Sequence, residues 1–231
     1  MSISPSRIVL ALTLLVALAT SARANLIITE VMSSSGAGGT PDWFELTNTG
    51  PAAVPLTGYK MDDGSFSFAN SVALNGVASL AVGQTAVFFE STATPATEIN
   101  AFRTFWGGSN SGLPGVQVGY YLGSGAGVSL SSGGDGAVVY NGSGTVVAGP
   151  VSFGAATTGT SFGYNTTTQT FGGLSVVGQF GAFNSSSVAP LNIGSPGTIG
   201  AVPEPSTMVL SGFGLLALAA CARRRRVNRS L

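Results

Sequence analysis

The chain contains no histidine, and among its 231 residues there is one cysteine, Cys221. Those absences remove the imidazole bases of Ser-His-Asp and Cys-His nucleophile systems, and with them any Cys/His zinc site. Charge is scarce as well: 8% of residues are Asp, Glu, Lys or Arg, against about 25% in ordinary soluble domains. A Ser-Lys nucleophile pair would have to use Lys60, the only lysine, which sits beside Asp62 and Asp63 in a stretch that reads as a solvated turn. Glycine is abundant instead, at 34 residues. It follows no three-residue period, so a collagen-like chain is excluded.

The formal net charge of zero hides an uneven distribution. Residues 1–24 carry Arg7 and Arg23. Between 25 and 202, Lys60 and Arg103 stand against Glu30, Asp42, Glu45, Asp62, Asp63, Glu90, Glu98 and Asp135. The tail sets Glu204 against Arg223, Arg224, Arg225, Arg226 and Arg229. An acidic body makes nucleic acid a poor partner, because phosphate neutralisation needs a basic surface.

Both ends read as addresses. Residues 1–24 have the form of a secretory signal: Arg7 provides the positive start, 8–19 is apolar, and Ala22-Arg23-Ala24 offers small residues to signal peptidase. Cleavage is expected before Asn25. At the other end Pro203-Glu204-Pro205 leads into an uncharged apolar run over 208–222, extended by Ser206 and Thr207 to a membrane segment of about 206–222. Arg223 to Arg226 follow at once. The run is short for a relaxed span, but arginine side chains snorkel to the headgroups. Clustered arginine resists translocation, so it should act as a cytoplasmic stop with the body on the outer face.

This order of Pro-Glu-Pro, apolar span and arginine cluster resembles the PEP-CTERM sorting signal of Gram-negative bacteria. The resemblance covers about the last 30 residues and implies that exosortase reads Pro203, Glu204 and Pro205. Two prolines keep that segment extended and remove backbone donors, which suits a protease cleft. Leu218-Ala219-Ala220-Cys221 matches a lipoprotein box in letters only, since that signal works at an N-terminus. Cys221 reads as a small apolar residue of the span.

The body, 25–199, alternates short apolar runs with Gly, Ser, Asn and Asp, the pattern of an all-β sandwich or barrel. Residues 26–32 form a β-branched run. In Trp43-Phe44-Glu45-Leu46-Thr47, Trp43, Glu45 and Thr47 share one face and Phe44 and Leu46 the other. Asp62-Asp63-Gly64 and Asn141-Gly142 are turn signals. One helix is expected over 95–106, with Thr94 as cap, Pro95 at the first position, and Ile99, Phe102 and Phe105 or Trp106 on one face. It should pack over an edge or end of the sandwich.

A second resemblance follows from Leu26-Ile27-Ile28-Thr29-Glu30-Val31, Asp42-Trp43-Phe44-Glu45-Leu46-Thr47-Asn48-Thr49-Gly50, Leu56-Thr57-Gly58-Tyr59, Gly133-Gly134-Asp135-Gly136-Ala137-Val138-Val139-Tyr140 and Ser195-Pro196-Gly197. The series is similar to the lamin-tail domain. It implies an immunoglobulin-like β-sandwich with one short inserted helix, lying between the N-terminal signal peptide and the sorting signal at 200–231, whose transmembrane helix is the segment of about 206–222. Residues 91–120 form an insertion in that pattern, and 155–193, rich in Gly, Ser and Thr, matches it weakly.

Glu30 and Glu45 are candidates for the carboxylate pair of a glycosidase, which needs both groups facing one cleft. The plainer reading makes them surface or turn-supporting carboxylates. Trp43 and Trp106 could form a sugar-stacking platform, but burial in the core or under the helix is the stronger reading. Asp62, Asp63 and Asp135 offer calcium-type oxygen ligands without an EF-hand pattern, so turn chemistry accounts for them better. No cofactor is expected. Asn141, Asn165 and Asn184 match the N-glycosylation pattern, a weak sign in a bacterial chain.

The reading that follows is a non-enzymatic exported protein, processed by signal peptidase and exosortase. It passes through a transient membrane anchor to the cell surface or exopolysaccharide matrix of a Gram-negative bacterium. Its role there would be structural or adhesive, in biofilm or floc. The alternatives are a secreted carboxylate glycosidase acting on matrix glycans and a ligand-binding display module.

Overall fold

The computed structural model describes residues 26–198, apart from 37–40, 92–93, 108–112, 114, 124–126 and 186–190. The expected leader with Ala22, Ala24 and Asn25, the Pro203-Glu204-Pro205 element, the apolar segment and Arg223 to Arg226 lie outside the described residues. Among the described residues no helix is long and apolar enough to cross a membrane.

The body is mostly β with one short helix. In chain order the strands are β1 (Leu26–Met32), β2 (Trp43–Asn48), β3 (Val54–Pro55), β4 (Lys60–Asp62), β5 (Val72–Ala73), β6 (Ser79–Leu80) and β7 (Thr85–Glu90). The helix α1 (Pro95–Gly107) comes next. After it run β8 (Gln117–Tyr121), β9 (Asp135–Tyr140), β10 (Val146–Phe153), β11 (Phe162–Asn165), β12 (Thr170–Leu174), β13 (Phe183–Asn184) and β14 (Ile193–Gly194).

One sheet has six strands in the order β12-β11-β1-β2-β7-β8, and a second has four in the order β10-β9-β4-β5. Their facing sides share one apolar core. Ile28, Val31, Phe44, Leu46 and Phe88 of the larger sheet meet Met61, Ala137, Val139 and Phe153 of the smaller. Alternation along the strands produces this layer, with its phase reset where the register shifts in β1 and β10. The arrangement is consistent with the expected lamin-tail sandwich.

The helix lies at 95–107, one residue longer than the spacing predicts. It packs on the outer face of the six-stranded sheet, on the side of its edge strand β8. Phe102 and Trp106 pack against Met32, Trp43, Val87 and Phe89, which point away from the inter-sheet core. The reason lies in β7 and β8, which pair in parallel. Parallel neighbours need a crossover connection, and a helix in that connection packs back on the sheet. Trp43 meets Trp106 edge-on at 5.7 Å and Phe102 at 5.8 Å. Both tryptophans are buried, so neither forms an exposed platform.

The turn at 141–145 also refines its signal. Asn141 Oδ1 accepts from the backbone N–H of Ser143 and of Thr145. The residue in the left-handed region is Gly144, with φ 80°, so the β9–β10 hairpin uses a longer loop than a two-residue Asn-Gly turn.

Candidate functional site

Strict alternation through β1 would put Ile28 and Glu30 on the same face, driving a carboxylate into the apolar core. A bulge prevents it. Ile28 pairs with Leu46 and Glu30 with Glu45, so Thr29 and Glu30 together oppose one residue of β2. The extra residue shifts the phase of the strand. Ile28 and Val31 both enter the inter-sheet core, whereas Thr29 and Glu30 join Glu45 and Thr47 on the outer face.

Glu30 and Glu45 are thus cross-strand neighbours, and both are fully buried. The surface reading of these carboxylates is corrected, while the turn-supporting one holds. Their cover is the segment after β14. Glu30 Oε1 accepts from Ser161 Oγ at 2.5 Å and from the Ser195 N–H at 2.7 Å, and its Oε2 accepts from Ser195 Oγ at 3.0 Å. Glu45 Oε1 accepts from Thr29 Oγ1 at 2.6 Å, and its Oε2 accepts from the Gly197 N–H at 2.5 Å. Two strands near the start of the chain therefore hold its last described turn.

That turn must come close. A Cβ on Gly194 would lie 2.8 Å from Glu30 Oε1 and 3.0 Å from Trp106 Cη2. Glycine is required there because the polar cover and the helical cover meet at this residue.

Burial raises both carboxyls above the ordinary glutamate value of 4.5. Desolvation lifts Glu30 to about 7 against the opposing hydrogen bonds of Ser161 and Ser195. Desolvation, then the charge of Glu30, lifts Glu45 to about 8 against the bonds from Thr29 and Gly197. The pair resists double ionisation for the same reason that any two close buried carboxyls do.

The three aspartates of the turn regions are committed to backbone geometry. Asp62 Oδ2 accepts from Ser65 Oγ and the Ser67 N–H. Asp63 Oδ1 accepts from the Ser65 N–H. Asp135 accepts from the N–H groups of Gly64 and Ser131, tying two turns together. Among the described residues no group of three His, Cys, Asp or Glu side chains is placed to hold a metal ion.

Beside the carboxylate pair lies a groove of about 170 Å³. Thr29 and Ser195, which bond the carboxylates, also line it, together with Tyr164, Asn165, Gln179 and Phe180. No charged side chain is among its lining residues. Glu30 and Glu45 sit beneath that wall, so they do not face one open cleft in the manner a two-carboxylate hydrolysis requires. The groove draws on the Gly/Ser/Thr-rich stretch 155–193, whose short motifs are the N-glycosylation matches at Asn165 and Asn184. Its residues converge only through the pairing of β11 with β1 and β12.

Comparison with known families matches residues 19–154 to the Lamin Tail Domain. Residues 201–226 match the PEP-CTERM protein-sorting motif. No curated protein matches the chain. The first match stops short of Ser195-Pro196-Gly197, so the turn that covers the carboxylates, and most of the groove, lie beyond the matched segment.

Proposed function

Since the chain belongs to the Lamin Tail Domain family and carries a PEP-CTERM protein-sorting motif, we propose that it is a non-enzymatic surface or matrix protein of a Gram-negative bacterium. Its role is structural or adhesive, in biofilm or floc, and exopolysaccharide is its surrounding partner. The sorting motif implies export, a transient membrane stage and processing by exosortase. The observation that carries the reading is the position of that motif, at 201–226, directly after a sandwich whose last turn is bonded by Ser195 and Gly197 to the first strands. A folded body followed at once in sequence by a sorting motif is the form of a displayed module.

The state of the carboxylates supports the non-enzymatic part. Every oxygen of Glu30 and Glu45 accepts a hydrogen bond from the protein itself. Neither is left to protonate a leaving group or to attack a sugar carbon.

Intact-mass measurement of the extracellular form tests the proposal. The expected species begins at Asn25 and ends close to Pro203-Glu204-Pro205. A chain lacking 203–231 should be secreted without attachment. Full-length material held inside the cell, with neither end trimmed, overturns the reading.

A further inference from the structure

We propose that the groove beside β11 and β12 is a binding site for one neutral sugar unit of a polysaccharide. The inference rests on the display reading above and gives it a contact point. Three observations converge on it.

The first is the lining chemistry. The groove brings together hydroxyl, carboxamide and aromatic side chains beside the aliphatic Leu174 and Val176, with no charged residue. A phosphate, a uronate or an amine would lose its hydration there without gaining an ion partner. A neutral polyol exchanges water hydrogen bonds for protein ones, and its C–H face suits an aromatic ring.

The second is the set of polar groups left over. Asn165 Oδ1 is engaged by the N–H groups of Thr167 and Thr168, which fixes the side chain and leaves its Nδ2 donors. The Gln179 carboxamide and the Tyr164 hydroxyl make no hydrogen bond with another described residue. Together they offer both donors and acceptors, as a sugar hydroxyl requires.

The third is Phe180. It stands at φ 47°, a conformation that bulky side chains rarely adopt, between Gly178 at φ 83° and Gly181 at φ 87°. The turn is closed by the bonds from Gly178 N–H to Ala182 O and from Ala182 N–H to Gln179 O, both 2.8 Å. The ring remains 40% exposed while lining the groove. A strained backbone that holds an apolar ring in solvent gains nothing for folding, and such strain belongs where a ligand is met.

The test applies the purified full-length chain to an array of gluco-, manno- and galacto-configured neutral oligosaccharides, with polygalacturonate as the charged comparator. Retention by at least one neutral configuration is expected. Phe180→Gly and Gln179→Ala should each weaken it by about tenfold, whereas Val82→Ser, on a remote exposed loop, should not. Glycine accepts the left-handed backbone, so Phe180→Gly removes the ring without disturbing the turn, and thermal unfolding of each variant checks this.

Failure to bind any neutral sugar overturns the proposal, as does equal binding by the two groove variants. Binding confined to polygalacturonate does the same. If the extracellular form is trimmed at both ends but binds no neutral sugar, the groove falls and the export reading stands. Untrimmed intracellular chain removes the export reading whatever the array shows.

Discussion

The outer face of the six-stranded sheet carries two covers of opposite character. Over β2, β7 and β8 lies the helix, with Trp106 and Phe102 packed on Trp43, Val87 and Phe89. Over β1, β2 and β11 lies the 193–198 segment, held by the Ser195 hydroxyl and the Ser195 and Gly197 N–H groups on Glu30 and Glu45. The same sheet face is thus sealed by apolar contact on one side and by carboxyl hydrogen bonds on the other. Apolar burial is indifferent to proton concentration. The polar cover is not, because its acceptors are themselves titratable.

The largest effect expected is on the apolar side. Trp106→Ala should cost about 3–5 kcal/mol in a urea unfolding curve, by loss of transfer energy and the cavity left among Trp43, Phe102, Phe105 and Phe183. That loss should be the same at acid and alkaline pH. A pH-dependent loss would show that the two covers are not separate.

Next comes the pH response of the polar cover. Both carboxyls are raised from 4.5 in the folded chain, to about 7 and about 8. The folded chain therefore holds protons that the unfolded chain has released. Stability is full below 4.5, is lost as pH climbs through about 7 and about 8, and levels off beyond. Stability should therefore fall steadily between about pH 5 and about pH 9 in a urea unfolding series. In the Glu30→Gln/Glu45→Gln double variant most of that slope should vanish. A residue of it should persist, since desolvation raises Asp42 and Glu90 in the same direction.

Two substitutions in the covering turn sharpen the contrast further. Gly197 sits at φ 81°, and a Cβ there would meet Val116 Cγ2, so Gly197→Ala should cost about 2 kcal/mol in thermal unfolding. Ser195→Ala removes only the hydroxyl bond to Glu30 Oε2 and should cost about 1 kcal/mol at low pH. Its penalty should grow at high pH, where the acceptor carries charge and the lost bond is stronger. A penalty that shrinks with rising pH would contradict the assignment of the titrating pair.

The outline of this body was legible in the chain. Alternation through 43–47 separated Phe44 and Leu46 from Trp43, Glu45 and Thr47, and the two sets do occupy opposite faces. The cap and spacing at 94–106 gave the helix to within one residue. The bulge at Thr29 was not legible, because nothing in Leu26-Ile27-Ile28-Thr29-Glu30-Val31-Met32 says where the period breaks. Glu30 therefore looked like an ordinary strand carboxylate. The groove escaped for a related reason: all its lining residues but Thr29 fall within 163–198, and 155–193 has too little patterning to set strand register.

By itself the sequence determined the chemistry at hand and the address. A chain without histidine cannot build imidazole catalysis, and a sorting motif is a local run of residues whose order alone marks it. The tertiary structure alone decided that Glu30 and Glu45 share one buried site under Ser195 and Gly197. It also decided that the helix seals a sheet face. Both are consequences of long-range register, where a single extra residue in β1 and a parallel pairing of β7 with β8 choose which side chains lose their water.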